Sequence, residues 1–179
     1  MQRRTFLAST LALPALDALP DAPPPTPKPF VVKSGEARFG VRTPYRGTNP
    51  NDLKLSAKDT GGALAVYEYE GHAKIGPPLH VHLRQDEVFY VVAGEYRFRV
   101  GDETFTAKAG DTVFGPRNVP HTWLQLSDSG KMLYLVQPAG TMEEFFGAMN
   151  DLKAPPTEEL IQRMHAEHGM KVLGPPLTL

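Results

Sequence analysis

Two histidines and a glutamate in the middle of the chain have the types and the spacing of metal ligands. His80 and His82 lie two residues apart, and in a β-strand such residues point to the same face of the sheet. Their imidazoles can therefore converge on one ion. Glu87 follows His82 by five residues, an odd number that would place its carboxylate on the opposite face of an uninterrupted strand. We therefore predict a turn between them, formed by the polar run 84–86.

A fourth candidate ligand lies further along the chain. His121 follows a short apolar run after Gly110 and then a loop bounded by Pro116 and Pro120. The prolines stiffen that loop, so the histidine enters the next strand from a fixed direction. The chain contains no cysteine, which leaves histidine and carboxylate as its metal ligands. A lone histidine is ordinarily a packed or solvated side chain, but four such residues in this spacing predict a metal site.

The other histidines are interpreted as ordinary residues. His165 and His168 lie three residues apart near a charged helix end and do not form a His-Glu-x-x-His motif. We predict a solvated surface there in preference to a second metal site. His72 follows Gly71 in a predicted loop and is interpreted as a turn residue, with a place at the mouth of a pocket as the alternative.

The segment that must position the candidate ligands is predicted to be all-β. From residue 30 to residue 137, short apolar runs alternate with turn residues, and no stretch has sustained helical periodicity. Strands this short and regular favour closure into a small barrel. The predicted strands are 38–43, 63–70, 79–83, 87–93, 96–100, 104–107, 112–114, 121–126 and 131–137.

Helical patterns occur only near the C-terminus. Thr141 and Glu144 have the spacing of a capping box, and Thr157 can cap a second helix that stops at Gly169. We expect both helices to pack on the outside of the barrel. The apolar tail 173–177 is expected to dock on the domain, against a partner that the sequence does not identify.

Strand parity also predicts which side chains face the interior. Residues two or four positions from a ligand on the same strand share its face, and the strand before the histidine pair carries two tyrosines on one face. An aromatic, mostly apolar pocket with one amide would suit a planar oxygenated organic molecule, and ordinary barrel packing is the alternative interpretation. The candidate pocket residues are Tyr67, Tyr69, Phe89, Val91, Trp123 and Gln125.

The arrangement of the candidate ligands resembles the two motifs of the cupin superfamily. The motifs read His80-x-His82-x4-Glu87-x6-Gly94 and Gly110-x5-Pro116-x4-His121. Asn118 stands where a glycine is usual, and Gln125 replaces the terminal asparagine, but neither departure removes a ligand. Asparagine tolerates the left-handed conformation that glycine would provide. The C-terminal helical segment and the Gly-Pro-Pro ending are similar to those of single-domain bacterial cupins described as quercetin dioxygenase-like.

The resemblance implies a double-stranded β-helix, or jelly-roll, barrel with short C-terminal helices. It also implies one bound divalent metal ion, which could be Mn, Fe, Ni, Co, Cu or Zn, with Glu87 additionally serving as a catalytic proton acceptor. The implied metal ligands are His80, His82, Glu87 and His121.

The function that the resemblance implies is that of a metal-dependent dioxygenase. Its substrates would be O2 and a small oxygenated or phenolic organic molecule, as for a quercetinase. A non-redox metal cupin, such as an isomerase or a lyase, is one alternative, and a cupin that binds a small molecule without catalysis is another. Cupins that resemble this chain are often homodimers, so a homodimer is a further expectation.

The start of the chain has the pattern of an export signal followed by a spacer. Arg3-Arg4 and the uncharged, mostly apolar stretch 5–16 resemble a twin-arginine signal. Six prolines between Pro20 and Pro29 would stiffen the next segment. We therefore expect residues 1–29 to be a signal peptide and linker, and the protein to be exported to the periplasm.

Length and charge bound the remaining possibilities. The 179 residues are enough for one domain, which we predict over 30–179, with the barrel at 38–137 and a helical segment at 141–170. The formal net charge of −1 gives no basic footprint for nucleic acid. No free-standing apolar run is long enough for a membrane span. A small molecule is therefore the expected partner.

Overall fold

Two five-stranded antiparallel sheets form the body of the protein in the computed structural model, which describes residues 28–45 and 47–179. The predicted signal peptide and linker, 1–29, lies outside the described residues apart from its last two positions. In chain order, the strands are β1 (Asn51–Leu55), β2 (Ala65–Gly71), β3 (Pro78–His82), β4 (Asp86–Ala93), β5 (Glu95–Val100), β6 (Glu103–Lys108), β7 (Thr112–Gly115), β8 (His121–Gln125), β9 (Gly130–Gln137) and β10 (Met170–Pro176). One sheet has the order β1-β2-β9-β4-β7, and the other has the order β10-β3-β8-β5-β6. The all-β prediction is confirmed.

The interior between the sheets follows from the alternation of side chains along the strands. On β2, every second residue is buried from Ala65 to Gly71, as expected where one face packs and the other meets water. Tyr67 of β2 stacks on Tyr134 of β9 with ring centroids 5.1 Å apart. Phe89 of β4 and Phe98 of β5 pack across the two sheets at 5.3 Å. Burial of each such ring contributes roughly 1.5–3 kcal/mol, so these contacts hold the sheets together.

The sheets are not closed into a continuous barrel, which differs from the prediction. Among the described residues, no ladder of backbone hydrogen bonds joins them, and β1, β7, β10 and β6 remain edge strands. Two of these edges are short, with five residues in β1 and four in β7. Short edges leave few backbone groups to pair around a corner, so the sheets are connected by side-chain packing and by side-chain hydrogen bonds such as that from Gln125 to the Gly71 carbonyl.

The first predicted strand, 38–43, is wrong. Arg38–Gly40 forms a short 3₁₀ helix in which Phe39 has a φ of 64°. The strand of this region is β1. Its sequence is mostly polar, so a prediction based on apolar residues did not detect it. Asp52 of β1 is 2% exposed, and Arg42 donates two hydrogen bonds to its carboxylate, at 3.0 and 2.7 Å. A buried charge needs such a partner, and the partner could not be read from the strand itself.

Two helices follow the sheets, as predicted. They are α1 (Met142–Asn150) and α2 (Glu158–Glu167). The Thr157 hydroxyl caps α2 by accepting a hydrogen bond from the Leu160 N–H at 3.2 Å. The Thr141 hydroxyl does not complete a capping box, and instead lies 2.9 Å from Nδ1 of His168. No helix in the described part of the chain has the length and apolar character needed to cross a membrane.

The apolar tail forms β10 and pairs antiparallel with β3. The register places Val172 opposite His80 and Met170 opposite His82. The prolines at 175 and 176 lack an N–H, but an edge strand tolerates them. The partner of the tail is therefore the histidine-bearing strand, and the end of α2 is brought beside it.

Candidate metal centre

Three strands bring the four predicted ligands together. His80 and His82 lie on β3, and His80 pairs directly with His121, the first residue of β8. β3 ends at His82 and β4 begins at Asp86, so the predicted turn exists and changes the face that Glu87 presents. The interruption at 83–85 is the local reason that a carboxylate five residues away can reach the same point.

The four side chains form a compact buried cluster. Each offers one ligand atom, and these atoms all lie within 4.8 Å of one another. Oε2 of Glu87 is 3.0 Å from Nε2 of His121 and 3.5 Å from Nε2 of His82. Atoms bound to one ion at about 2.0–2.2 Å lie roughly 3–4 Å apart. The cluster of His80, His82, Glu87 and His121 therefore has the size of a site for one metal ion.

The backbone fixes the tautomer of two of the histidines. Nδ1 of His80 lies 2.9 Å from the carbonyl oxygen of Pro78, and Nδ1 of His121 lies 3.1 Å from that of Val119. A carbonyl oxygen only accepts hydrogen bonds, so each Nδ1 must carry the proton. In the neutral ring, Nε2 then has the free lone pair that a metal requires.

A glutamine does the same for the third histidine. Oε1 of Gln85 lies 3.1 Å from Nδ1 of His82, while its amide nitrogen donates to the carbonyl oxygens of Ala139 at 2.7 Å and Pro138 at 3.2 Å. Because those carbonyls hold the amide nitrogen, its oxygen must face the histidine. The sequence analysis assigned Gln85 only to a turn and missed this contact. No local pattern reveals it, since the carbonyls lie more than 50 residues away.

Burial and neighbouring charge affect the three histidines differently. Burial, followed by the charge of the neighbouring histidines, lowers the pKa of His80 well below its ordinary value. Burial also lowers the pKa of His82. Burial opposes protonation of His121 too, but the hydrogen bond and the charge of Glu87 outweigh it and raise the pKa of this histidine. Burial thus favours the neutral form of His80 and His82, whereas the Glu87 carboxylate favours the protonated form of His121.

The loop before His121 is held by polar contacts. Asn118 has a φ of 64°, which confirms that asparagine supplies the left-handed conformation there, and its N–H donates to the His82 carbonyl at 2.8 Å. Arg117 clamps Asp86 at the start of β4, donating from its guanidinium at 3.0 and 2.6 Å and from its backbone N–H at 2.8 Å. These bonds join the two halves of the ligand set.

A cavity of about 1010 Å³ lies beside the cluster. Three of the predicted pocket residues line it, namely Tyr69, Phe89 and Trp123. Tyr69 and Trp123 pack edge to face with ring centroids 4.9 Å apart. The cavity is therefore wide enough for a bicyclic organic molecule and has aromatic walls next to the candidate ligands.

The other three predicted pocket residues are buried away from the cavity wall. Tyr67 packs between Tyr134 and Phe146, at 5.1 and 5.0 Å. The amide nitrogen of Gln125 donates to the carbonyl oxygens of Gly71 and Ser127, at 3.2 and 3.0 Å. Val91 is fully buried in the hydrophobic core. Strand parity predicts which face of the sheet a side chain is on, but not how far it lies from the cavity. It therefore cannot distinguish the three residues that line the cavity from the three that do not.

The C-terminal helices line the cavity, which corrects the expectation that they pack only on the outside. Phe145 of α1 and His165 of α2 are both buried and both face it. The prediction of a solvated surface at His165 is wrong, since this residue is 5% exposed. Burial lowers its pKa. Ile161, Met164 and His165 form an i, i+3, i+4 stripe, a signal that could have placed the histidine on the inner face of the helix.

Comparisons with known proteins agree with this architecture. Residues 65–137 match the model of the cupin domain. Quercetin 2,3-dioxygenase of Bacillus subtilis is 28% identical over 144 residues, which cover 80% of this chain and 40% of that protein. The chain thus spans about two fifths of the length of this curated relative.

Two solved structures share the fold. KdgF from Halomonas sp. superposes with a TM-score of 0.52 at 16% identity, covering 62% of this chain and 94% of that one. An RmlC-like cupin from Shewanella frigidimarina gives a TM-score of 0.52 at 19% identity, with 64% and 95% covered. At such identities the likeness concerns the fold alone. Together, the domain match, the relative and the paired sheets that carry both histidine motifs identify residues 65–137 as a cupin domain.

Proposed function

We propose that this protein is a mononuclear metal-dependent dioxygenase that acts on a small phenolic or otherwise oxygenated organic molecule. The observation that carries the proposal is the buried group of three imidazoles and one carboxylate, whose potential ligand atoms all lie within 4.8 Å of one another. The relative named quercetin 2,3-dioxygenase supports the choice of substrate class. When bound, a divalent ion would supply Lewis acidity toward a phenolate or enolate oxygen and, if redox-active, a site for O2.

The side chains of the chain have separate roles in this proposal. The three histidines would hold the metal through Nε2, because their Nδ1 atoms are already bonded to acceptors. Glu87 completes the set and accepts the proton that a substrate hydroxyl loses as its oxygen becomes a phenolate or enolate. Tyr69, Phe89 and Trp123 pack against a planar ring and exclude water from it.

The test is reconstitution of the full chain with one metal at a time. Protein loaded with Mn, Fe, Co, Ni or Cu is mixed with a flavonol, and O2 uptake is followed with an electrode. We expect O2 uptake that is stoichiometric with flavonol loss for at least one of these metals and absent with Zn. The absence of uptake for every metal, at full occupancy, would overturn the dioxygenase proposal.

The same samples separate the alternatives. Turnover under argon with Zn bound would identify a non-redox cupin, in which the metal only polarises a carbonyl. A ligand that raises the melting temperature and is recovered unchanged would identify a binding protein. Gel filtration with light scattering on the same preparations tests the expected homodimer.

We also propose that residues 1–29 direct export through a twin-arginine pathway to the periplasm. The support is the Arg3-Arg4 pair followed by a mostly apolar stretch. Wild-type protein should be recovered in the periplasmic fraction, and the double variant Arg3→Lys, Arg4→Lys should stay in the cytoplasm. Equal distribution of the two proteins would contradict the proposal.

A further inference from the structure

His165 lies in the cavity wall beside the candidate metal centre without belonging to it. It occupies the last turn of α2, a helix that is fixed at one end by the Thr157 cap and joined at the other to β10. Its ring centroid is 6.2 Å from that of His80. It is outside the group of four potential ligands but close enough to touch a molecule bound to them.

One nitrogen of this ring has a fixed role. Nδ1 lies 2.7 Å from the carbonyl oxygen of Ile161, one helical turn earlier. Since a carbonyl oxygen only accepts, Nδ1 carries the proton, and Nε2 of the neutral ring is a hydrogen-bond acceptor. Phe145 of α1 packs edge-on against the ring with centroids 4.9 Å apart, which holds its orientation. Among the residues of α2 that line the cavity, His165 is thus the buried acceptor, whereas Glu158 and Gln162 are exposed.

We propose that Nε2 of His165 accepts a hydrogen bond from a hydroxyl group of the substrate and thereby selects molecules with a second free hydroxyl. One oxygen of the substrate would bind at the metal, and the other would donate to His165. This inference rests on the proposed function, because it assumes a phenolic molecule in the cavity. A methyl ether at the second oxygen cannot donate, so the structure assigns His165 the discrimination between a hydroxyl and its ether.

The experiment is a binding cycle on full-length, Zn-loaded protein, in which no O2 chemistry consumes the probes. The probes are catechol and resorcinol, each compared with its monomethyl ether by isothermal titration calorimetry. The proteins are wild type, His165→Leu and His165→Gln. The quantity compared is the ratio of the affinity for the diphenol to the affinity for its ether. For at least one pair, this ratio should be roughly threefold to tenfold larger in wild type than in His165→Leu. His165→Gln, which keeps an acceptor oxygen, should restore part of that difference.

His168→Leu is the matched control. His168 also packs on Phe145, at 5.7 Å, but it is only partly buried, is bonded to Thr141 and does not line the cavity. This variant should discriminate as wild type does. A merely structural role of His165 would weaken diphenol and ether equally, whereas the proposal requires that the ratio change.

The outcomes separate this inference from the proposed function. If phenols bind but the ratio is the same in wild type and His165→Leu, the role of His165 is refuted and the dioxygenase proposal stands. If none of the probes binds Zn-loaded wild type, the role of His165 is refuted, while the dioxygenase proposal is decided separately by the O2-uptake assay with a flavonol. If His165→Leu does not fold, wild type and His165→Gln decide: the inference requires that wild type prefer the diphenol and that His165→Gln show a smaller preference. Equal affinity for diphenol and ether in wild type contradicts it.

Discussion

The cavity has two walls that are stabilised in different ways. The histidine wall, formed by β3, β4 and β8, holds the four candidate ligands through hydrogen bonds to backbone carbonyls and to Gln85. The C-terminal wall, 142–176, consists of two short helices, which pack through residues such as Phe145 and Met164, and of the edge strand β10, whose backbone pairs with β3. Histidine orientation in the first wall is thus a property of the sheets, while the two helices of the second wall are positioned largely by apolar contact.

The difference indicates that metal binding and substrate selection can change independently. A substitution in the helices of the C-terminal wall alters the shape and polarity of the cavity without moving the strands that carry the ligands. A substitution in the histidine wall, or in the groups bonded to its Nδ1 atoms, changes the ligand geometry directly. The predictions below test that separation.

The largest expected effect is the loss of a ligand. His121→Ala or His82→Ala removes one of four ligand atoms, and we expect metal affinity to fall by more than about 100-fold, because even loss of a group that only orients a ligand reduces affinity by about 10–100-fold. Metal per chain, measured by elemental analysis after dialysis, checks this. His165→Ala, in the C-terminal wall, should keep wild-type occupancy. Equal occupancy in all three variants would remove the assigned site.

A smaller loss of metal affinity is expected from substitution of Gln85, which would influence the metal only by orienting His82. Gln85→Met keeps the length of the side chain but removes the acceptor for Nδ1, so the ring can adopt the wrong tautomer or rotate. We expect metal affinity to fall by about 10–100-fold, measured by competition with a chromogenic chelator. Gln162→Met is the control. Gln162 is an exposed residue of α2 outside the group of candidate ligands, so this variant should bind metal as wild type does. A wild-type affinity for Gln85→Met would show that the sheet alone orients His82.

In the C-terminal wall, the Thr157 cap offers a test with the opposite pattern. Thr157→Ala removes the acceptor for the Leu160 N–H, and loss of such a cap lowers the free energy of unfolding by about 1 kcal/mol. Urea unfolding measures this change, and Thr157→Ser should reverse it. Metal affinity should be unchanged within about twofold, since no ligand strand is touched. A parallel loss of metal would mean that the two walls are coupled.

What the sequence predicted correctly depends on local rules. The parity of His80 and His82 and the odd spacing to Glu87 are consequences of strand geometry, and both require only a few neighbouring residues. The Thr157 cap is local in the same sense. These features were therefore recoverable from the chain without knowledge of its contacts.

What it missed depends on distant partners. Gln85 orients His82 only because the Ala139 carbonyl, 54 residues later in the chain, holds its amide. Likewise, β1 is buried despite its polar sequence because Arg42 neutralises Asp52 and the Tyr134 hydroxyl bonds to Asn51. No periodicity in a short window reports such contacts, because they exist only once the sheets have assembled.

The smallest expected effect is a pH-dependent one at the clamp that joins the His121 loop to β4. Hydrogen bonds from the Arg117 guanidinium, and then from its backbone N–H, lower the pKa of Asp86 to about 2, against about 3.9 in an unfolded chain. A depressed folded-state pKa means that the stabilisation is complete above pH about 4 and is lost as the pH falls to about 2. The pair is partly exposed, so screening by water keeps the contribution small.

Asp86→Asn therefore tests whether this clamp belongs to the histidine wall. Its melting temperature should lie slightly below that of wild type at pH 6, and the gap should close as the pH approaches 2, when the wild-type carboxyl is protonated as well. Arg117→Gln should reproduce the same pH profile, because it removes the other partner. A gap that is constant over this range would assign the effect to packing rather than charge. If the clamp fixes the loop that delivers His121, both variants should also bind metal slightly more weakly at pH 6, whereas Thr157→Ala should not.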